Sequence, residues 1–464
     1  MITALSWIPK GAAKAIPDRA KLPSKEEIEK LKESCKIFNK EEEEENGEVA
    51  HAKAVAEEFG KSSKSKSASP SMEVDDGLKE LDMDNYDEED DGIEIFSSGL
   101  GDLYYKSNEM DPYLKRNNDH DDDSDDDSKI LPTDLMIVCA RSDSDNKETN
   151  CIDVYVFEET SVGSPNMYSH QNIIVPAIPL CTAWLDCPLK GGEKGNFVAV
   201  GSDDTPIIEI WDLDVRFEVL PCVQLGGQNE EGNYKEGSHT EPVLGLAWNK
   251  EFRNILASAS ADTKVKVWDV ATGTCKITMD HHTDKVQAVA WNHYAPEVLL
   301  SGSFDQTVVL KDGRQPSHSG VKWSVMSDVE SLAWDPHSEH TFVVSLENGT
   351  VKGFDVRQAS NSNPSFTLNG HDKAATSVSY NISAPNLLAT ASMDKTVKLW
   401  DLSNNEPSCI ATHKPNAGSL FSIAFSADNP FLLAMGGVKG TLKVWDTLSD
   451  TNVSNRYGTR PVRP

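Results

Sequence analysis

The residues of this chain that could carry chemistry come as a set. His239, Ser258 and Asp262 lie within one short stretch. A serine, a histidine and an aspartate are the parts of a hydrolase triad, in which the imidazole takes the serine proton and the carboxylate orients the imidazole. The set recurs as His282, Ser301 and Asp305, and again as His371, Thr390 and Asp394. A catalytic centre is built once, so a set repeated at a fixed period reads as scaffolding. Nothing resembles G-x-S-x-G, a phosphate-binding glycine loop or a paired metal-ligand motif. His281, His282 and His293 lack zinc spacing. The sequence therefore offers no catalytic, cofactor-binding or metal-binding residue, and the chain reads as a non-enzyme.

The elements that position these residues are short strands. Residues 243–269 contain three apolar runs, VLGLAW, ILASAS and VKVWD, separated by NKEFRN and by the tight polar turn ADT. Runs of this length between turn residues are antiparallel strands joined by hairpins. The first run is apolar at nearly every position, which predicts a strand covered on both faces. Trp248 has counterparts at Trp291, Trp334, Tyr380 and Phe425, with steps of 43, 43, 46 and 45 residues. Trp268 has counterparts at Lys311, Phe354, Trp400 and Trp445, with the same steps. Two markers in one register, with about four strands per repeat and a Trp-Asp pair, describe the blade of a β-propeller.

This pattern resembles the WD-repeat family over residues 130–464. In such blades a hydrogen-bonded set ties strand to turn: a His before the inner strand, a Ser or Thr, an Asp in the turn, and the Trp. The resemblance assigns that structural role to His239, Ser258, Asp262 and Trp268 in blade three, and to His371, Thr390, Asp394 and Trp400 in blade six. Blade four has Lys311 where the Trp belongs, so its set is incomplete. A buried Asp is costly unless several donors satisfy it, which is why the set must be shared.

The reading is all-β: a seven-bladed WD-repeat β-propeller interrupted by a long acidic insert. Residues 1–9 contain ITALSWI, which matches the inner-strand pattern and puts the first strand of blade one at the N-terminus. The outer strand of the last blade is a second placement for it. The rest of blade one follows at LMIVCA (135–140) and CIDVYVF (151–157). With Trp7 in blade one, the outer strand of blade seven should come from Asn452–Tyr457. Residues 10–129 form the insert. Within it, 24–38 has capping-box spacing at Ser24 and Glu27 and an apolar face of Ile28, Leu31, Cys35 and Phe38, a short helix. Low complexity over 41–91 predicts disorder, since it cannot bury enough apolar surface. The aromatic-rich segment 92–114 is a docking motif for either the ring or a partner.

Net charge is −31, and residues 73–128 carry 4 Lys and Arg against 22 Asp and Glu. A nucleic-acid binder shows a basic stripe. This balance argues against direct nucleic-acid binding and for basic partners. No run of about 20 apolar residues is present, which argues against a membrane helix. The opening residues lack the basic lead of a secretory signal. Eight scattered Cys without a C-x-x-C pair predict free thiols. Ser124 sits before three Asp residues and Ser69 before Pro70, so both are candidate phosphosites.

The periodic tryptophans, ITALSWIPKG, DPYL (111–114) and the acidic insert together resemble the periodic tryptophan protein family. That resemblance implies a nuclear and nucleolar scaffold in ribosome biogenesis and rRNA processing. Its basic partners would be ribosomal proteins, assembly factors or histones. Two other roles stay open: a chromatin-associated histone binder in transcription, and a ubiquitin-ligase substrate adaptor.

Overall fold

Each apolar run of the repeat is one strand of a small antiparallel sheet. In blade three Val243–Trp248, Ile255–Ser260, Val265–Asp269 and Thr274–Met279 pair in that order, from the ring axis outward. Seven such sheets are present, so the molecule is a seven-bladed β-propeller. This computed structural model describes residues 1–20, 129–142, 150–158, 165–229, 232–315, 317–358 and 363–458, which belong to one compact unit. The expected helix over 24–38, the 92–114 segment, Ser69 and Ser124 lie outside the described residues.

The inner strand of each blade packs beside that of the next, and Leu420–Phe425 of blade seven packs beside Ile2–Ile8. Ile2–Ile8 pairs with Leu135–Ser142, Trp7 opposite Ile137, which places it in blade one rather than at the rim of the last blade. Its seam is built like the others. Ile2, Leu5 and Ile137 bury against Ala434 and Leu442, as Val243 and Trp268 bury against Ala199 and Ile208. Gly245 shows how close neighbouring inner strands run, because a Cβ there would meet the Gln287 carbonyl oxygen at 2.6 Å. Burying one large aliphatic side chain is worth about 1.5–3 kcal/mol, so each seam is a substantial source of stability.

Three expectations change. Val243–Trp248 is only half-buried after its first residue, while the second strand Ile255–Ser260 is buried almost throughout. The inner strand has a pairing partner on one side only, so its other edge faces the ring axis. The insert also begins later than residue 10. Ala12 and Ala13 pack on the apolar cluster between blades one and two, and Asp18–Arg19 pairs in parallel with Val215–Arg216. Finally, Thr451–Tyr457 is a helix and not the outer strand of blade seven, whose sheet has three strands among the described residues. Asp450 caps it by accepting from the Asn452 and Val453 amides, and Val453 is fully buried against blades six and seven. Cap and anchor together outweigh strand pairing there.

Candidate interaction surface

The tight turn between second and third strands folds because the residue after its Asp takes a left-handed conformation. Thr263 has φ 68°, and Gln306 and Lys395 do the same in blades four and six. This points the preceding Asp back under the loop. Asp262 Oδ2 lies 2.8 Å from His239 Nδ1, and its Oδ1 accepts from the Lys264 amide at 3.0 Å. His239 Nε2 lies 2.7 Å from Ser258 Oγ, and the Trp268 indole donates to the same oxygen at 2.8 Å. A carboxylate only accepts, so Nδ1 donates, Nε2 accepts the Ser258 hydroxyl, and that oxygen receives the indole. Blade six repeats the chain with His371, Asp394, Thr390 and Trp400 at 2.9, 2.7 and 2.9 Å.

Ser258, His239 and Asp262 thus have the connectivity of a hydrolase triad. Ser258 is 0% exposed, and its oxygen is already engaged by Trp268. No substrate reaches it. Burial holds the His239 pKa below its usual value. Burial works to raise Asp262, but the bond from His239 and those from the Lys264 and Thr240 amides outweigh it, and the net shift is downward.

Blade four solves the missing Trp. His282 holds Asp305 at 2.9 Å and Ser301 at 2.9 Å. His281 Nε2 lies 2.8 Å from the same Ser301 oxygen, where the indole sits in blade three. The adjacent histidines are therefore a structural pair, their rings tilted at 47° with centroids 4.5 Å apart. No group of His, Cys, Asp or Glu suited to a metal is found among the described residues.

On the face where the His-bearing loops and the tight turns meet, blade five departs from the pattern. The Glu347 amide donates to the Asp328 carbonyl at 3.0 Å, which brings two acidic residues together beside Glu330. Burial, and then the Glu347 and Asp328 carboxylates, push the Glu330 pKa up to about 7. The preceding loop carries Met326, 79% exposed with φ 62°. The like charges of Asp328 and Glu347, which add to the effect of burial, mark a place where a cation is favoured.

The model of the WD domain, G-beta repeat, matches residues 233–269, 273–312, 362–401 and 407–446. An uncharacterized WD repeat-containing protein of Schizosaccharomyces pombe is 39% identical over 373 residues, 77% of this chain and 70% of that protein. The chain belongs to the WD-repeat family. Periodic tryptophan protein 1 of Saccharomyces cerevisiae is 28% identical over 92% of this chain and 84% of its own length. The Periodic tryptophan protein 1 homolog of Drosophila melanogaster is 28% identical over 65% of each. Blade five, with its acidic cluster, falls between the matched ranges.

Two further networks of this WD-repeat ring escape a reading for triads. Asn249, Asn292 and Asn381 each follow a periodic aromatic residue. Each reaches the next blade through its side-chain amide: Asn249 to the Pro296 carbonyl at 2.6 Å, Asn292 to Glu339 at 3.0 Å, and Asn381 to Pro430. Some of the periodic indoles reach the previous blade: Trp291 donates to the Ala247 carbonyl at 3.0 Å and Trp334 to Ala290 at 3.1 Å. Trp7 donates to Ala424 at 2.8 Å and so staples blade one to blade seven. The signal was present as an Asn in constant register with the aromatic.

Proposed function

We propose that this WD-repeat scaffold acts in ribosome production in the nucleus and nucleolus by binding basic proteins. The observation that carries the reading is the carboxylate cluster Asp328, Glu330 and Glu347 at one face of the ring. It supplies negative charge on a rigid frame, and the 22 acidic residues within 73–128 supply more in the same chain. Lys- and Arg-rich segments of ribosomal proteins or assembly factors meet both requirements. A bound cation lowers the Glu330 pKa, so binding releases a proton and strengthens as pH rises through about 7.

The test is a pull-down of the tagged full chain, with and without residues 73–128, repeated with Asp328→Asn, Glu330→Gln and Glu347→Gln combined. Pre-ribosomal proteins should be recovered by the full chain and depleted by both changes. Recovery of histones without ribosomal proteins would favour the chromatin role. Ligase subunits alone would sink both readings.

A further inference from the structure

Among the described residues blade seven is one strand short. Its sheet ends at Lys443–Asp446, and no strand pairs with the outer edge of that segment among the described residues. In blades three and six the same position is covered. There Val265–Asp269 pairs with Thr274–Met279, and Val397–Asp401 pairs with Ser408–His413. The difference shows in the side chains. Lys266 lies under its outer strand at 4% exposure and reaches Thr278 Oγ1 at 3.0 Å. Lys443, its counterpart, is exposed, and Trp445 is half-buried where Trp268 is 1% exposed. The His-Ser-Asp set is missing too: Met435 pairs with Ile423 where Ser258 pairs with Leu246. The terminal helix does not fill the gap, because it turns to blade six, where Asn452 donates to the Ile410 carbonyl at 3.2 Å.

We infer that the open edge Lys443–Asp446 is a docking site for an extended segment of a partner protein, which completes blade seven as its fourth strand. The other blades define the chemistry of that segment. In blade three a small Cys275 lies opposite Trp268, Ile277 opposite Val267 and Thr278 opposite Lys266. Blade six places Cys409, Ala411 and Thr412 at the same positions. A register shift leaves Lys276 unpaired, and its ammonium lies 3.7 Å from Asp269. Asp446 occupies the place of Asp269 and is exposed. The fitting partner strand therefore runs antiparallel with a small residue against Trp445, an aliphatic against Val444, a hydroxyl over Lys443 and a Lys or Arg beside Asp446. Main-chain bonds supply affinity and these side chains the choice of sequence, as in other strand-addition complexes. The inference holds whichever cellular assembly the scaffold serves.

The Thr447 amide donates inward to the Phe431 carbonyl at 2.9 Å, so by antiparallel alternation the Val444 and Asp446 amides point outward. A peptide copying residues 273–280 is the probe, read by fluorescence anisotropy and by residue-resolved hydrogen exchange on the full chain. The Val444 and Asp446 amides should exchange fast alone and slow on peptide addition, while Trp445 stays unchanged. Val444→Pro removes one outward donor, is tolerated at an edge, and should weaken peptide binding about tenfold. Protection of both amides in the free chain would overturn the inference, since a strand of the same chain or a second copy would already hold the edge. Unchanged peptide binding by the proline variant would overturn it equally. If that variant fails to fold, the exchange pattern of the unaltered chain decides.

Discussion

Ser258 serves two partners at once, so its removal strands both. Ser258→Ala leaves the Trp268 indole and the His239 Nε2 without a partner in a fully buried site. Each stranded group costs about 1–3 kcal/mol, and the urea midpoint should fall accordingly. The histidines add a pH dependence. Burial lowers the pKa values of His239, His282 and His371, and burial with the neighbouring His282 and Lys311 charges takes His281 down to about 3. In the unfolded chain these groups protonate near the ordinary value of about 6.5. The unfolded state therefore binds more protons below that pH, and stability is lost as pH falls from about 6.5 toward 3. Asp262 acts in the same direction at lower pH, because its folded pKa is depressed. The Tm should fall between pH 7 and pH 5 at constant salt; a flat profile would rule out neutral buried imidazoles. The chain of residues was readable from spacing, but the substitution of His281 for an indole was not. That exchange depends on where two side chains end in space.

At the scale of elements, the staple from Trp7 to Ala424 repeats those of Trp291 and Trp334. Trp7→Phe keeps the ring and removes the donor, so it should cost about 1 kcal/mol, and Trp291→Phe about the same. Trp184 bonds within its own blade, to Asn196 at 2.8 Å. Trp184→Phe should therefore loosen the blade without opening a seam. Limited proteolysis of the three variants separates the cases, with seam opening exposing the flanking blades only for Trp7 and Trp291. Strand positions were legible because alternation and turn residues are local. The helix Thr451–Tyr457 was not, since its fate was set by a distant apolar pocket that receives Val453.

For the whole molecule, closure depends on the first strand. Ile2 and Ile8 are fully buried there and Leu5 nearly so. At about 1.5–3 kcal/mol each, losing them rivals a total stability of about 5–15 kcal/mol. Deleting residues 1–9 should therefore abolish the cooperative melt measured by circular dichroism. Partner binding should also weaken steeply between low and physiological salt, because exposed charges are screened over about 8–10 Å. Binding insensitive to salt would place the main contact away from the acidic groups.

The repeat length and the blade count were determined by the sequence alone, because each is written in local spacing that recurs. Tertiary structure decided the rest. Inner strands face the axis with one edge, Asp328, Glu330 and Glu347 converge at one end of a strand pair in blade five, and among the described residues blade seven ends without a fourth strand. These depend on what lies beside each segment in space, and a linear pattern does not record which neighbours are absent.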